Sequence, residues 1–169
     1  PLLNYKNVIK SIHFITSSEG LEMSYKRVTL STSGIAKMIK RLADDNVKVN
    51  LALSLHAASE EIRNNIMPIG NSNSLNAIRD ALKYYFSKTK RKVTYEYVLL
   101  DGVNDSIKDA ENLYKFTKHI PSKVNLIEYN IVEGLDFHRS SEKNTNLFIN
   151  YLDERRVNVG LRRSRGKDI

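Results

Sequence analysis

The 169-residue sequence contains no cysteine. Disulfides, thiolate nucleophiles, iron–sulfur ligation and cysteine-based zinc sites are therefore outside what this polypeptide does by itself. Glycine-rich phosphate loops are missing as well: there is no Gly-x-Gly-x-x-Gly and no Gly-Lys-Ser/Thr, which excludes the familiar nucleotide-binding loops. No apolar run is long enough to cross a bilayer, and the start, Pro1-Leu-Leu-Asn-Tyr-Lys6, lacks the charged and apolar regions of a secretory signal. A cytoplasmic, soluble chain with no membrane partner is expected. The four histidines, His13, His56, His119 and His138, have no paired spacing, so no metal site is expected. No repeat or low-complexity linker interrupts the chain, and its length with 41% hydrophobic residues suits one core, so residues 1–169 are expected to form a single domain.

What the sequence does have is positive charge. Its 27 basic and 19 acidic residues give a formal net charge of +8. An excess of this size favours an anionic partner, nucleic acid first, although a solvated basic surface is the bland alternative. Much of the excess is clustered: Arg155, Arg156, Arg162, Arg163, Arg165 and Lys167 lie near the end with Asp168 as the one acid from Arg155 on.

Apolar spacing alternates between helical and strand periods. A helix capped by Asn4 carries Val8, Ile9, Ile12, Phe14 and Ile15 on its apolar side and decays near Gly20. Strands are expected over Val28 to Ser33, Val47 to Leu55, Val93 to Leu100, Val124 to Ile127 and Val157 to Leu161. Between them the spacing predicts helices over Ile35 to Asp45, Glu60 to Ile66 behind Ser59 and ending at Pro68, from about Ser74, Ser106 to His119, and Glu142 to Glu154. Strict alternation argues for a parallel sheet with right-handed crossovers, part of a barrel or an open sheet. Such a unit normally begins with a strand, whereas a helix comes first here; the fold's first strand is expected to precede Pro1.

Polar residues gather where strands end. Val49-Asn-Leu-Ala-Leu-Ser-Leu-His-Ala57 reads as a buried strand with Ser54 and His56 at its carboxyl end, and the pattern recurs in Val28-Thr-Leu-Ser-Thr-Ser-Gly34 and Val124-Asn-Leu-Ile-Glu-Tyr-Asn130. In parallel α/β folds this edge is where sites are built. A lone histidine is more often packed than functional, but the strand terminus beside Ser54 raises the functional reading of His56. Glu96 and Asp101 leave open a hydrolase built on two carboxylates, although Glu96 is favoured as a hydrogen-bond acceptor inside a barrel. Asp101-Gly-Val-Asn-Asp105 reads as a turn whose Asn and Asp cap the next helix. Tyr84, Tyr85, Tyr95 and Tyr97 read as packing residues. A noncatalytic RNA-binding module with merely polar strand ends also remains open.

Taken together, Arg27-Val-Thr-Leu-Ser-Thr-Ser-Gly34, Leu53-Ser-Leu-His-Ala57, Glu61-Ile-Arg63, Met67-Pro-Ile69, Glu96-Tyr-Val98, Asp101-Gly-Val-Asn-Asp105, Asn125-Leu-Ile-Glu-Tyr-Asn130 and Arg163-Ser-Arg-Gly-Lys-Asp-Ile169 resemble the radical S-adenosylmethionine methyltransferases of the RlmN/Cfr family. The motifs occur in the same order from Pro1 to Ile169. The resemblance implies a partial TIM-like (β/α) barrel of the radical S-adenosylmethionine type, α/β with mainly parallel strands, flanking helices and its first strands missing. It implies methylation of carbon 2 of adenine in 23S ribosomal RNA and in transfer RNA, with S-adenosylmethionine as cofactor and a [4Fe–4S] cluster held in the full-length parent by a Cys-x-x-x-Cys-x-x-Cys loop. That loop and the methyl-carrying cysteine are expected outside these residues, before Pro1 and after Ile169, so the fragment itself is expected to be inactive. Carried over residue by residue, Ser31, Ser54, Leu55, His56 and Asn130 are the expected cofactor-binding residues. Hydroxyls and an amide suit ribose and carboxylate, and backbone groups beside Leu55 suit an adenine edge. Arg139, Arg162, Arg163, Arg165 and Lys167 are the expected RNA-facing strip.

Overall fold

Helical and strand periods that alternate require crossover helices on a parallel sheet, and the computed structural model, which describes residues 1–67 and 73–163, has that order. Helix α1 (Tyr5–Thr16) is followed by β1 (Thr29–Thr32), α2 (Ala36–Asp44), β2 (Asn50–Ser54), α3 (Glu60–Ile66), α4 (Leu75–Thr89), β3 (Val93–Leu99), α5 (Ile107–Thr117), β4 (Ser122–Glu128), α6 (Glu142–Asp153) and β5 (Val159–Arg162). All five strands are parallel and lie side by side in chain order. A doubly wound sheet would reverse its order at a switch point; the unbroken succession is that of a (β/α) barrel wall. Pro68, Ile69, Arg165 and Lys167, singled out above, lie outside the described residues.

The two faces of the sheet differ. Along β3, Val93, Tyr95, Tyr97 and Leu99 are buried while Thr94, Glu96 and Val98 are half-buried. The register carries this alternation across the sheet: Leu53, Tyr95, Val124 and Val159 share the outer face, and Ser54, Glu96, Asn125 and Gly160 share the inner one. The outer face packs into one cluster with Ile39 and Leu42 of α2, Ile78, Leu82 and Tyr85 of α4, Leu113 of α5, and Phe148 and Leu152 of α6. Burying each of these side chains contributes roughly 1.5–3 kcal/mol. Tyr95 meets Phe116 edge-on at 5.8 Å, and Tyr97 meets Phe148 at 5.5 Å. A parallel sheet covered by helices on one face leaves the other as the wall of a barrel interior.

Serines start the three longest-capped crossovers. Ser74, Ser106 and Ser141 accept from the N–H groups of Ala77, Asp109 and Asn144, and Ser106 with Asp109 forms a full capping box.

Several expectations are corrected by local geometry. Phe14 is 59% exposed, because its place on α1 falls off the stripe formed by Val8, Ile9, Ile12 and Ile15. Asn4 and Ser59 occupy N-cap positions without capping through their side chains; Asn4 Oδ1 accepts from Asn7 instead. The strand expected from Val47 begins at Asn50, because Asn46 turns left-handed and Val47 N–H donates back to Leu42 to close α2. No helix among the described residues is long and apolar enough to cross a membrane.

Candidate functional site

On the inner face, Ser54, Glu96 and Asn125 stand in one row across β2, β3 and β4. Glu96 Oε1 accepts from Asn125 Nδ2 at 3.0 Å, the structural role favoured from its place on the strand. Asp101 sits exposed in the turn beyond β3, where its N–H donates to His138 O. Glu96 is thus engaged on the inner face while Asp101 lies in an exposed turn, and no contact joins the two acids among the described residues.

Beyond Ser54 the chain leaves the sheet abruptly. Leu55 and His56 both donate their N–H groups to Glu96 O, at 3.0 and 3.2 Å, and His56 is held at a positive φ of 56°. A non-glycine residue stays there only when its surroundings fix it. Val98 N–H donates to His56 Nδ1 at 3.1 Å, and Asn104 Nδ2 donates to His56 O at 2.7 Å. Asn104 is fully buried and also bonds Val98 O and Leu100 N, while its own carbonyl accepts from Tyr97. This asparagine was expected to cap α5; it pins the ends of β2 and β3 instead, and Ser106 does the capping. Its neighbour Asp105 accepts from Ser140, Asn144 and the Gly102 N–H.

Burial, and secondarily the charge of Arg63, push the His56 imidazole down to about 4. The ring is neutral at pH 7. Since Nδ1 accepts a backbone N–H, the proton sits on Nε2, leaving a donor for a ligand. Leu55 is fully buried, and its carbonyl already accepts from Ala57 N–H. Its N–H is engaged as well, by Glu96 O.

At the end of β1, Ser31 is exposed while Thr32 is buried and accepts from Gly34 N–H. Gly34 has φ +96°, and a Cβ there would lie 2.8 Å from Ile78 Cδ1 and 3.1 Å from Leu53 Cδ1. Both conformation and space demand glycine. Arg63 of α3 is fully buried behind this turn and donates Nη2 to Ser33 O at 2.6 Å, while its Nε and Nη1 have no hydrogen-bond partner among the described residues. Desolvation lowers its pKa, opposed by Glu60.

Asn130 is exposed just beyond β4, beside Tyr129, whose buried hydroxyl has no hydrogen-bond partner among the described residues and whose ring meets Phe137 at 6.2 Å. The expected arginine strip divides by strand parity. Arg139 and Arg163 turn to Glu128 on the helix side, Arg139 directly and Arg163 at 4.0 Å, whereas Arg162 pairs in register with Ile127 of the inner face.

No family model matches the chain. A protein of Flavobacterium psychrophilum described as a probable dual-specificity RNA methyltransferase RlmN is 54% identical over 169 residues, all of this chain and 49% of that protein. The crystal structure of a radical SAM methyltransferase from Sphaerobacter thermophilus superposes with a TM-score of 0.95 at 36% identity, covering all of this chain and 50% of that one. Over its full length the chain is homologous to the RlmN family. It spans about half the length of the RlmN relatives it matches. A domain of a pyruvate-formate lyase-activating enzyme from Bacteroides vulgatus, 15% identical with a TM-score of 0.71 over 96% of this chain and 93% of that domain, shares the fold.

With the RlmN homology in view, the donor set can be tested against the groups the resemblance implies. An iron–sulfur cluster does not fit these residues, since the sequence offers no thiolate. S-adenosylmethionine fits better: Ser54 on the inner face, exposed Ser31 and Asn130, the buried Tyr129 hydroxyl and the His56 Nε2–H supply donors and acceptors for hydroxyl, amine and carboxylate groups. Sequence reading did not find Asn104, Arg63 or the Glu96–Asn125 bond as parts of this edge. Asn104 and Arg63 stood inside quoted RlmN-like motifs, and that was the available signal.

Proposed function

We propose that this chain, as one domain, forms the S-adenosylmethionine-binding wall of an RlmN-type RNA methyltransferase, with Ser31, Ser54, Leu55, His56 and Asn130 at the cofactor. The whole protein methylates adenine at carbon 2 in 23S ribosomal RNA and transfer RNA in the cytoplasm. When bound together with its [4Fe–4S] cluster, the cofactor supplies the methyl group and the radical chemistry. The residues here hold and orient it: hydroxyls and the Asn130 amide grip polar groups, and neutral His56 donates from Nε2. Lacking any thiolate, the 169-residue chain alone binds without turning over.

The observation that carries the reading is the row Ser54, Glu96 and Asn125 across the inner face, with Ser54 at the carboxyl end of β2, in a chain similar to RlmN relatives over all of its 169 residues. Titration calorimetry with S-adenosylmethionine tests it. Saturable binding is expected, weakened by Ser54→Ala by roughly 3- to 10-fold, the worth of one hydrogen bond. No saturation at millimolar cofactor sinks the binding wall. Stoichiometric iron after anaerobic reconstitution, or any cofactor cleavage, sinks the claim of inactivity.

A further inference from the structure

The loops at the opposite end of the sheet, before β3, β4 and β5, enclose a groove of about 500 Å³. Lys92, Lys118, His119, Arg155 and Arg156 line it together with Tyr114. We infer that this groove is a second RNA contact, taking the phosphate backbone of a helical stem away from the carboxyl-edge site. The inference rests on the reading that the chain serves an RNA-modifying enzyme, and adds a surface to it.

Cations are common just after helices because they offset the helix dipole, and Arg155 does this, donating Nη1 to Tyr151 O at 3.0 Å and pairing with Glu154 at 3.5 Å. The others do not. Among the described residues, Lys92, Lys118 and Arg156 have neither an ion-pair partner nor a side-chain hydrogen bond, and all three are exposed. Two helix ends on this rim place a basic residue where the backbone is left-handed, Lys90 with φ 56° and Arg156 with φ 58°. Glycine is the usual occupant of such positions because it avoids the conformational cost. Of the groove cations, Arg156 is therefore kept at a conformational cost, exposed and available to an anion.

His119 lies on the same rim, its pKa lowered by desolvation first and then by Lys83, Arg79 and Lys118, of which only Lys118 lines the groove. Backbone rather than bases is the better ligand, because the aromatic faces nearby are already covered: Arg155 stacks on Tyr151 at 3.5 Å and Lys118 lies over Tyr114 at 5.9 Å. A groove without a free stacking platform recognises phosphates. The seven residues of β4 separate the two ends by about 20 Å, a span that one RNA helix crosses easily.

The test measures binding of the 169-residue chain to a 16-base-pair RNA hairpin by fluorescence anisotropy between 50 and 300 mM salt, for wild type and for Lys92→Gln/Lys118→Gln/Arg156→Gln. Wild type is expected to bind with a steep salt dependence. The triple variant should lose affinity about tenfold or more and flatten the slope by about 0.7–0.9 for each phosphate contact removed. His119 imidazole resonances should move on RNA addition. Wild-type affinity and slope in the triple variant, with binding lost instead in Arg139→Gln/Arg162→Gln, overturn the second contact while leaving the RNA reading standing. Absence of any binding by wild type at 50 mM salt overturns both.

Discussion

On the inner face of β3 and β4 and in the loops beyond β2 and β3, Glu96, Asn125, His56 and Asn104 are bonded to one another or to the backbone, whereas at the amino ends of β3, β4 and β5 Lys92, Lys118 and Arg156 stand exposed with no ion-pair partner among the described residues. The first arrangement holds a shape. The second holds a potential. Polar groups placed to position a ligand must be ordered before it arrives, which requires neighbours that fix them; charges placed to attract a polyanion act through space and need no such frame. Substitutions at the two ends should therefore fail in different ways: stability at the carboxyl edge, binding at the amino rim.

The sharpest contrast comes from Asn104→Ala. The change leaves the Leu100 N–H and the carbonyls of His56 and Val98 without their side-chain partner in a fully buried place. At about 1–3 kcal/mol for each unsatisfied group, a loss of roughly 3–5 kcal/mol is expected. Urea unfolding reads it directly. A loss under about 1 kcal/mol would mean that water replaces the amide and that the edge is not pinned as described.

His56 offers the next effect, and through pH alone. Its pKa near 4 in the folded state lies below the ordinary value of about 6.5. The unfolded chain thus binds the extra proton first, so stability is full above about pH 6.5 and declines as pH falls toward 4, by roughly 3 kcal/mol in total. His56→Asn keeps a residue that tolerates the left-handed backbone and removes the titration. The difference in unfolding free energy between wild type and variant, followed from pH 8 to pH 4, should shrink across that window; a flat difference argues that the imidazole is not buried as found.

Much of this edge was legible in the sequence. The order of elements followed from alternating periodicity, α3 matched Glu60 to Ile66 at both ends, and of the four tyrosines read as packing residues Tyr85, Tyr95 and Tyr97 are buried in the core while Tyr84 packs at its margin and bonds Asp44. The RlmN/Cfr resemblance rested on strand-end residues that the parallel topology does bring to one rim. Other features were hidden for physical reasons. Asn104 reads as a turn residue because its partners, His56 and Val98, are 48 and 6 positions away, and no local pattern records that closure. The arginine strip looked continuous along the chain, yet strand parity sends Arg162 and Arg163 to opposite faces. The basic groove was missed since Lys92, Lys118 and Arg156 come from three loops that only the sheet assembles.

A smaller cost is expected from Gly34→Ala. The added methyl would stand 2.8 Å from Ile78 Cδ1 at a φ of +96°. Strain and overpacking together should cost about 2–3 kcal/mol. Because the turn also presents Ser33 O to Arg63, cofactor affinity should fall along with thermal stability. Unchanged melting temperature would show that the β1 turn relaxes freely and does not brace the site.

The smallest effect has the opposite sign. Arg156 occupies the left-handed position that closes α6: its N–H donates to Asp153 O and the Val157 N–H donates to Leu152 O, the bonding pattern of a glycine-type helix stop. Replacing Arg156 with glycine removes a side chain from a backbone conformation it disfavours and should raise stability by about 1 kcal/mol, partly offset by the greater freedom glycine gives the unfolded chain. The same change removes one unpaired cation from the groove, so RNA affinity should fall while the melting temperature rises. Binding and stability moving apart at one residue would mark the rim as a surface held for a partner. Both falling together would make Arg156 a part of the frame, and the difference between the two ends of the sheet would disappear at that position.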